Sequence, residues 1–198
     1  MKDWTGNRSS LFVALGSSNH SDSEREQHDF YATDPKALTA LAEHMQLPHI
    51  IYECACGTGH LANELNRLGH KVIATDLIDR GFGQGNVNFL EVESMPEHCD
   101  CILTNPPYKF TNEFIEHALE ILPQGGKAIF LLNVNNLAGQ TRFKRIYSRG
   151  VLKELYLFSK RIVCAKNGNF ERCTSSAVNY AWFVFEKGFC GSTVLHWL

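Results

Sequence analysis

The stretch Glu53-Cys54-Ala55-Cys56-Gly57-Thr58-Gly59-His60 stands between an apolar run, His49-Ile50-Ile51-Tyr52, and a helical pattern carried by Leu61, Leu65 and Leu68. An apolar strand, a glycine turn and then a helix open a βαβ unit. Gly57 and Gly59 let the backbone reverse sharply and let a ligand approach main-chain N–H groups. No Gly-Lys-Ser/Thr follows, so this is not a P-loop, and the third glycine of the dinucleotide fingerprint is missing. Two acids flank the turn: Glu53 ends the first strand, and Asp76 ends the next one, residues 71–75. In a doubly wound sheet these strand ends lie side by side at the ligand crevice. A carboxylate there accepts both hydroxyls of a ribose, and one in the turn reaches an ammonium group. The pair therefore points to an adenosine-type cofactor.

Outward from the turn, strand-like runs fall at 86–90, 99–104 and 127–132, and a helix at 112–122 ends in Pro123-Gln124-Gly125-Gly126. Upstream, Ala37, Leu38, Leu41, Ala42 and Met45 have helical spacing behind the start signals Thr33, Asp34 and Pro35. Downstream, a basic helical stretch runs to Arg149, followed by strand-like runs at 151–158, 177–186 and 193–197, with a polar loop near 166–176. Strands alternating with helices predict a parallel sheet covered on both faces. Residues 1–28 are polar and Ser-rich and read as an arm, which leaves 29–198 as a single domain. The chain has 198 residues, ordinary for one domain. Its 44% hydrophobic and 20% charged composition excludes a disordered chain, a coiled coil or a collagen-like repeat. No stretch approaches a membrane span, and the apolar run 11–15 is too short for a signal peptide. A soluble, cytoplasmic protein without a membrane partner is expected.

Seven cysteines cannot all pair, so most are expected to be reduced. Cys54/Cys56 and Cys99/Cys101 form two CxC pairs. Their spacing is not the usual zinc spacing, and alternation along a strand would put each pair on one face as small core residues. No metal site is expected. The net charge of −2 hides a polarity: residues 141–172 carry nine Lys or Arg against two Glu, while the rest of the chain is acidic. Such a block suits phosphate contact.

After the strand at 99–104 comes Thr104-Asn105-Pro106-Pro107-Tyr108. Two prolines stiffen the backbone and remove two N–H donors. The Asn105 side-chain oxygen and the Pro106 carbonyl then become fixed acceptors, suited to an amino group with two N–H bonds. Tyr108 adds a face on which a planar group can stack.

With Glu53-x-x-x-Gly57-x-Gly59, Asp76 and Asn105-Pro106-Pro107-Tyr108 in this order, residues 28–132 resemble class I S-adenosylmethionine-dependent methyltransferases. More narrowly, they resemble the amino methyltransferases that modify N6 of adenine. Phe158-Ser159-Lys160-Arg161-Ile162 and Tyr180-Ala181-Trp182-Phe183-Val184-Phe185 are similar to segments of small phage and prophage DNA methyltransferases. The resemblance implies an α/β, Rossmann-like fold: a mostly parallel seven-stranded sheet, helices on both faces and an antiparallel C-terminal hairpin. It implies S-adenosyl-L-methionine as cofactor, held by Tyr31, Thr33, Pro35, Glu53, Ala55, Gly57, Gly59, Asp76, Leu77, Asn88, Phe89 and Asn105. Asn105, Pro106, Pro107 and Tyr108 would be catalytic, with the adenine flipped out of double-stranded DNA onto Tyr108. Lys109, Arg142, Lys144, Arg145, Lys160, Arg161, Lys166, Phe170 and Arg172 are the candidate nucleic-acid contacts. In one respect the chain departs from the family: an Asp commonly precedes the Phe at the end of the third strand, and here the pair is Asn88-Phe89.

RNA adenine, cytosine N4 and protein glutamine are alternative acceptors for the same turn. Cytosine enzymes more often have Ser in place of Asn105, and glutamine enzymes usually carry an N-terminal helical domain. A non-catalytic cofactor- or nucleic-acid-binding subunit is the alternative of a different class. Target recognition is expected either from the arm and basic block, or from a partner subunit or a second copy of the chain.

Overall fold

In the computed structural model, residues 31–166 and 178–198 are described. The elements are β1 (Tyr31–Thr33), α1 (Lys36–His44), β2 (Ile50–Glu53), α2 (His60–Arg67), β3 (Lys71–Ala74), β4 (Cys101–Thr104) and α3 (Thr111–Ile121). They continue with β5 (Lys127–Asn133), α4 (Gln140–Arg145), β6 (Leu152–Leu157), β7 (Cys164–Lys166), β8 (Tyr180–Glu186) and β9 (Val194–Trp197). Seven strands form one sheet in the order β3-β2-β4-β5-β8-β6-β9. β3, β2, β4 and β5 run parallel, β8 is antiparallel to both β5 and β6, and β9 is parallel to β6. A separate short ribbon pairs β1 with β7.

Period-two alternation sorts the strand side chains onto two faces. Ile51, Leu103, Ile129, Leu131, Trp182 and Val184 pack with Leu38 and Leu41 of α1 and Leu61 and Leu65 of α2. Tyr52, Ile102, Phe130, Leu132, Phe183 and Phe185 pack with Phe114, Ile115, Ala118 and Leu119 of α3. Burying such side chains stabilises by roughly 1.5–3 kcal/mol each. The central strands are buried on both sides, hence their continuous apolar sequences. The Trp182 indole is fully buried and donates to the Ala37 carbonyl at 2.9 Å, which ties β8 to α1. Trp182, Phe183 and Phe185 are thus sheet core, as their strand pattern predicts.

Two expectations need correction. Residues 86–90 do not form a strand. Asn86 is left-handed with φ 59°, and the Asn88 side chain accepts from the Leu90 N–H to start a 3-10 turn at Phe89–Glu91. Asn side chains compete with the ladder in this way, and here the local bond wins. Phe89 still enters the core, against Phe114 and His117. Nor do Cys99 and Cys101 share a face. The left-handed backbone at His98 delays the strand to Cys101, and the two thiols end in opposite halves of the core. The N-terminal arm, 1–28, lies outside the described residues, as does most of the polar loop. No helix among the described residues is long and apolar enough to cross a membrane.

Candidate active site

The C-terminal ends of β2, β3 and β4 reach the same edge of the sheet. There the chain passes from β2 outward to β3 and then back to the other side at β4. This reversal opens a crevice, and a cavity of about 490 Å³ fills it. Glu53, Ala55, Asp76 and Leu77 line it from the β2 and β3 side, Asn88 and Phe89 from the 3-10 turn, and Asn105 to Phe110 from the β4 exit. Thr33 lines it from β1. The residues just before the glycines, Ala55 and Cys56, and the proline turn from Asn105 thus border one space.

The turn works differently from its sequence appearance. The Gly57 N–H donates to Asp76 Oδ2 at 2.7 Å, and the Ile78 N–H donates to Oδ1 at 2.9 Å. These bonds aim the Asp76 carboxylate and leave it further lone pairs. Gly59 takes φ 83° as the residue before α2, and a Cβ there would lie 2.5 Å from the Phe82 ring. Neither glycine lines the cavity; Gly59 seats a second loop instead. That loop, 76–84, closes at its base through Asp76 N–H to Gln84 O at 3.0 Å and Gln84 N–H to Ala74 O at 2.9 Å. It brings Ile78 and Arg80 to the cavity wall. The sequence reading missed both, although Gly81-x-Gly83-x-Gly85 was a signal. Gly59→Ala should cost about 2 kcal/mol or more through the ring clash and the left-handed backbone. A urea melt reads this as a lower midpoint, and an unchanged midpoint would mean Phe82 moves freely.

Glu53 is 2% exposed and its Oε2 has no hydrogen-bond partner among the described residues. Burial pushes its carboxyl well above the ordinary range, the nearby Asp76 charge adds to this, and an Ala62 main-chain hydrogen bond offsets part. Cys56 also faces the cavity; burial first, then Glu53 and Asp76, push its thiol up to about 12. It is held neutral and unreactive. Burial lowers His60. Asn105 Nδ2 donates to Thr33 Oγ1 at 3.1 Å, and Tyr108 shares a 2.8 Å hydrogen bond with the Tyr180 hydroxyl. Burial raises the Tyr108 phenol well above its usual value, with Cys164 and Tyr180 adding to it. Asn88 uses its oxygen on Leu90 N–H and its amide nitrogen on Glu91.

Other expected site residues are spread over the fold. Pro35 precedes α1 and is not in the cavity wall. Tyr31 and Lys166 are opposite each other in the β1–β7 ribbon. Within the basic segment, Arg142 donates to Asn112 Oδ1 and to the carbonyls of Asn136 and Ala138. Arg145 grips Glu116 with two nitrogens and lies 3.6 Å from Glu113. Both clamp α4 to its surroundings, so part of the block's charge is met within the chain. Lys109, Lys144, Lys160 and Arg161 are exposed. Phe170 and Arg172 lie outside the described residues.

No family model and no curated protein matches this chain. Solved structures do. A Listeria monocytogenes protein assigned to the class I S-adenosylmethionine-dependent methyltransferases aligns over 96% of this chain and 71% of its own, at 15% identity and TM-score 0.56. A methyltransferase from Pyrococcus furiosus aligns over 90% and 96%, at 18% identity and TM-score 0.55. The M protein of the type I restriction enzyme EcoKI aligns over 90% of this chain and 47% of its own, at 17% identity and TM-score 0.53. The fold is that of the class I methyltransferases. S-adenosyl-L-methionine is the cofactor that the resemblance of the sequence motifs implies.

The residues present fit that group. A buried carboxylate oxygen without a partner, at the wall of a ligand-sized cavity, calls for a cationic N–H donor. Glu53 would hold the ammonium end, Asp76 the ribose, and Leu77, Asn88 and Phe89 the adenine. Bound there, the cofactor would supply a methyl group already activated on a sulfonium.

Proposed function

We propose that this protein is an S-adenosylmethionine-dependent methyltransferase acting on N6 of adenine in double-stranded DNA. One observation carries the reading: the Asn105-Pro106-Pro107-Tyr108 turn and the acids Glu53 and Asp76 line the same cavity. Adenine N6 is a weak nucleophile because its lone pair is delocalised into the ring. Asn105 Oδ1 and the Pro106 carbonyl accept its two N–H bonds, turn the lone pair inward and stabilise positive charge developing on nitrogen. Neither proline contributes an N–H that would repel the amine. The Tyr108 ring gives the flipped base a face to stack on.

Lys109 and Phe110 stand at the cavity wall, both exposed, Phe110 at 50%. A cation beside an aromatic face suits a nucleic-acid strand entering the site. Lys144, Lys160 and Arg161 add charge for phosphates. DNA rather than RNA is favoured by the likeness of the tail to phage methyltransferases, and a restriction-enzyme M protein among the structural neighbours agrees with it. Recognition of the target sequence falls to the arm, the basic segment or a partner subunit.

Tritiated-methyl transfer to pooled DNA, RNA and protein tests the reading. The expected label is in DNA, as N6-methyladenine after digestion. Label in protein alone would remove the nucleic-acid function. Tight cofactor binding without transfer to any pool would make the chain a non-catalytic subunit.

A further inference from the structure

We propose that Thr33 and Tyr180 are positioning residues that fix which end of the Asn105 amide faces the target amine. The inference rests on the adenine reading and deepens it. An asparagine amide rotated by half a turn presents a donor where an acceptor is needed. A donor facing the amine would repel its N–H bonds, so orientation decides whether the turn binds the substrate at all. Asn105 follows β4 directly and cannot set this by itself.

A hydrogen bond from a distant strand holds its nitrogen end. Thr33 Oγ1 lies 3.1 Å from Asn105 Nδ2. Thr33 is 2% exposed, and its strand is held by pairing with Cys164 of β7. A β-branched side chain on a paired strand has little χ1 freedom. On the other side, the Asn105 side chain is hydrogen-bonded to the Tyr108 phenol. The Tyr108 hydroxyl meets the Tyr180 hydroxyl at 2.8 Å, with ring centroids 6.5 Å apart. Tyr180 opens β8 opposite Asn133 and is 6% exposed. The chain Thr33, Asn105, Tyr108, Tyr180 therefore joins β1, the β4 exit and β8. Thr33 Oγ1 takes the nitrogen end of the amide, and the opposite end is Oδ1, an acceptor only.

The test uses the full-length protein labelled with 15N-asparagine, so that the Asn105 side-chain amide is observed directly. Thr33→Val removes the hydroxyl and keeps the shape; Thr33→Ser restores a hydroxyl; Tyr180→Phe cuts the far link. Hydrogen exchange at Asn105 Nδ2 should speed up about tenfold or more in T33V, less in Y180F, and return near the parent rate in T33S. Turnover at saturating cofactor, where occupancy is equal in every variant, should fall about 10- to 100-fold in T33V and recover in T33S. T33V and Y180F together should lose less than the product of their separate losses, because both act on one amide. Exchange that ignores both substitutions overturns the proposal. So does a T33V protein with weakened cofactor binding and intact turnover, which would make Thr33 a cofactor contact. A parent chain that transfers no methyl group to nucleic acid overturns the adenine reading, and the exchange measurement still decides whether Thr33 holds the amide.

Discussion

Asn105→Ala should lower the rate of methyl transfer about 100- to 1000-fold, the usual loss when one fixed group stabilising a developing charge is removed. The substitution deletes the acceptor for one N–H of the amine and frees Thr33 and Tyr108 from their shared partner. Cofactor affinity should change about tenfold or less, the worth of one hydrogen bond. Asn105→Asp separates the two roles. It keeps an acceptor aimed at the amine but loses the donor to Thr33, so its rate should fall between those of the parent and the alanine variant. Steady-state rates at saturating cofactor, with calorimetry for binding, measure all three proteins. Equal rates for parent and alanine variant would place the chemistry elsewhere.

Much of this site was legible because its residues sit at strand ends beside breaks in pattern. Glu53 ends an apolar run before two glycines, Asp76 ends the next run, and Asn105 follows the fourth with two prolines behind it. Position at the C-terminal edge of a parallel sheet follows from topology, and topology follows from alternation. Contacts between distant segments were not legible. The bond between Asn105 and Thr33 spans 72 positions, as does the one between Tyr108 and Tyr180. The docking of Phe82 on Gly59 depends on how a glycine-spaced loop folds back over the turn. Charge was misleading for a related reason. Arg142 and Arg145 count as basic in sequence, yet each finds its partners on α3, the neighbouring loop or both once the chain is folded. The run at 86–90 shows the limit of apolar pattern: two asparagines with local hydrogen-bonding options outweighed three apolar residues.

Glu53→Gln should move stability and cofactor affinity in opposite directions. In the cofactor-free protein the buried Glu53 carboxyl is raised well above 4.5, first by burial and then by Asp76. Between the ordinary carboxyl value and the raised one, the native state keeps a proton that the unfolded chain has released. Native protons exceed unfolded protons in that window, so stability falls as pH rises, by at most about 1.4 kcal/mol per pH unit. Glutamine has the same shape and no charge to desolvate, so this loss is absent in the variant. The variant should therefore be the more stable protein above the ordinary carboxyl range, by a margin that widens with pH until Glu53 ionises in the native state. Urea melts at several pH values between 5 and 8, without cofactor, measure the margin. Binding should go the other way. A cationic group delivered to Oε2 gains a carboxylate partner in the parent and only a neutral amide in the variant, which should weaken the cofactor roughly 10- to 100-fold. Binding to the parent should also release a proton from Glu53, visible as a buffer-dependent enthalpy that the variant lacks. An acid kept for packing alone would give the stabilised variant without a weakened ligand, whereas an acid kept at the cavity wall for the sake of a cation gives both.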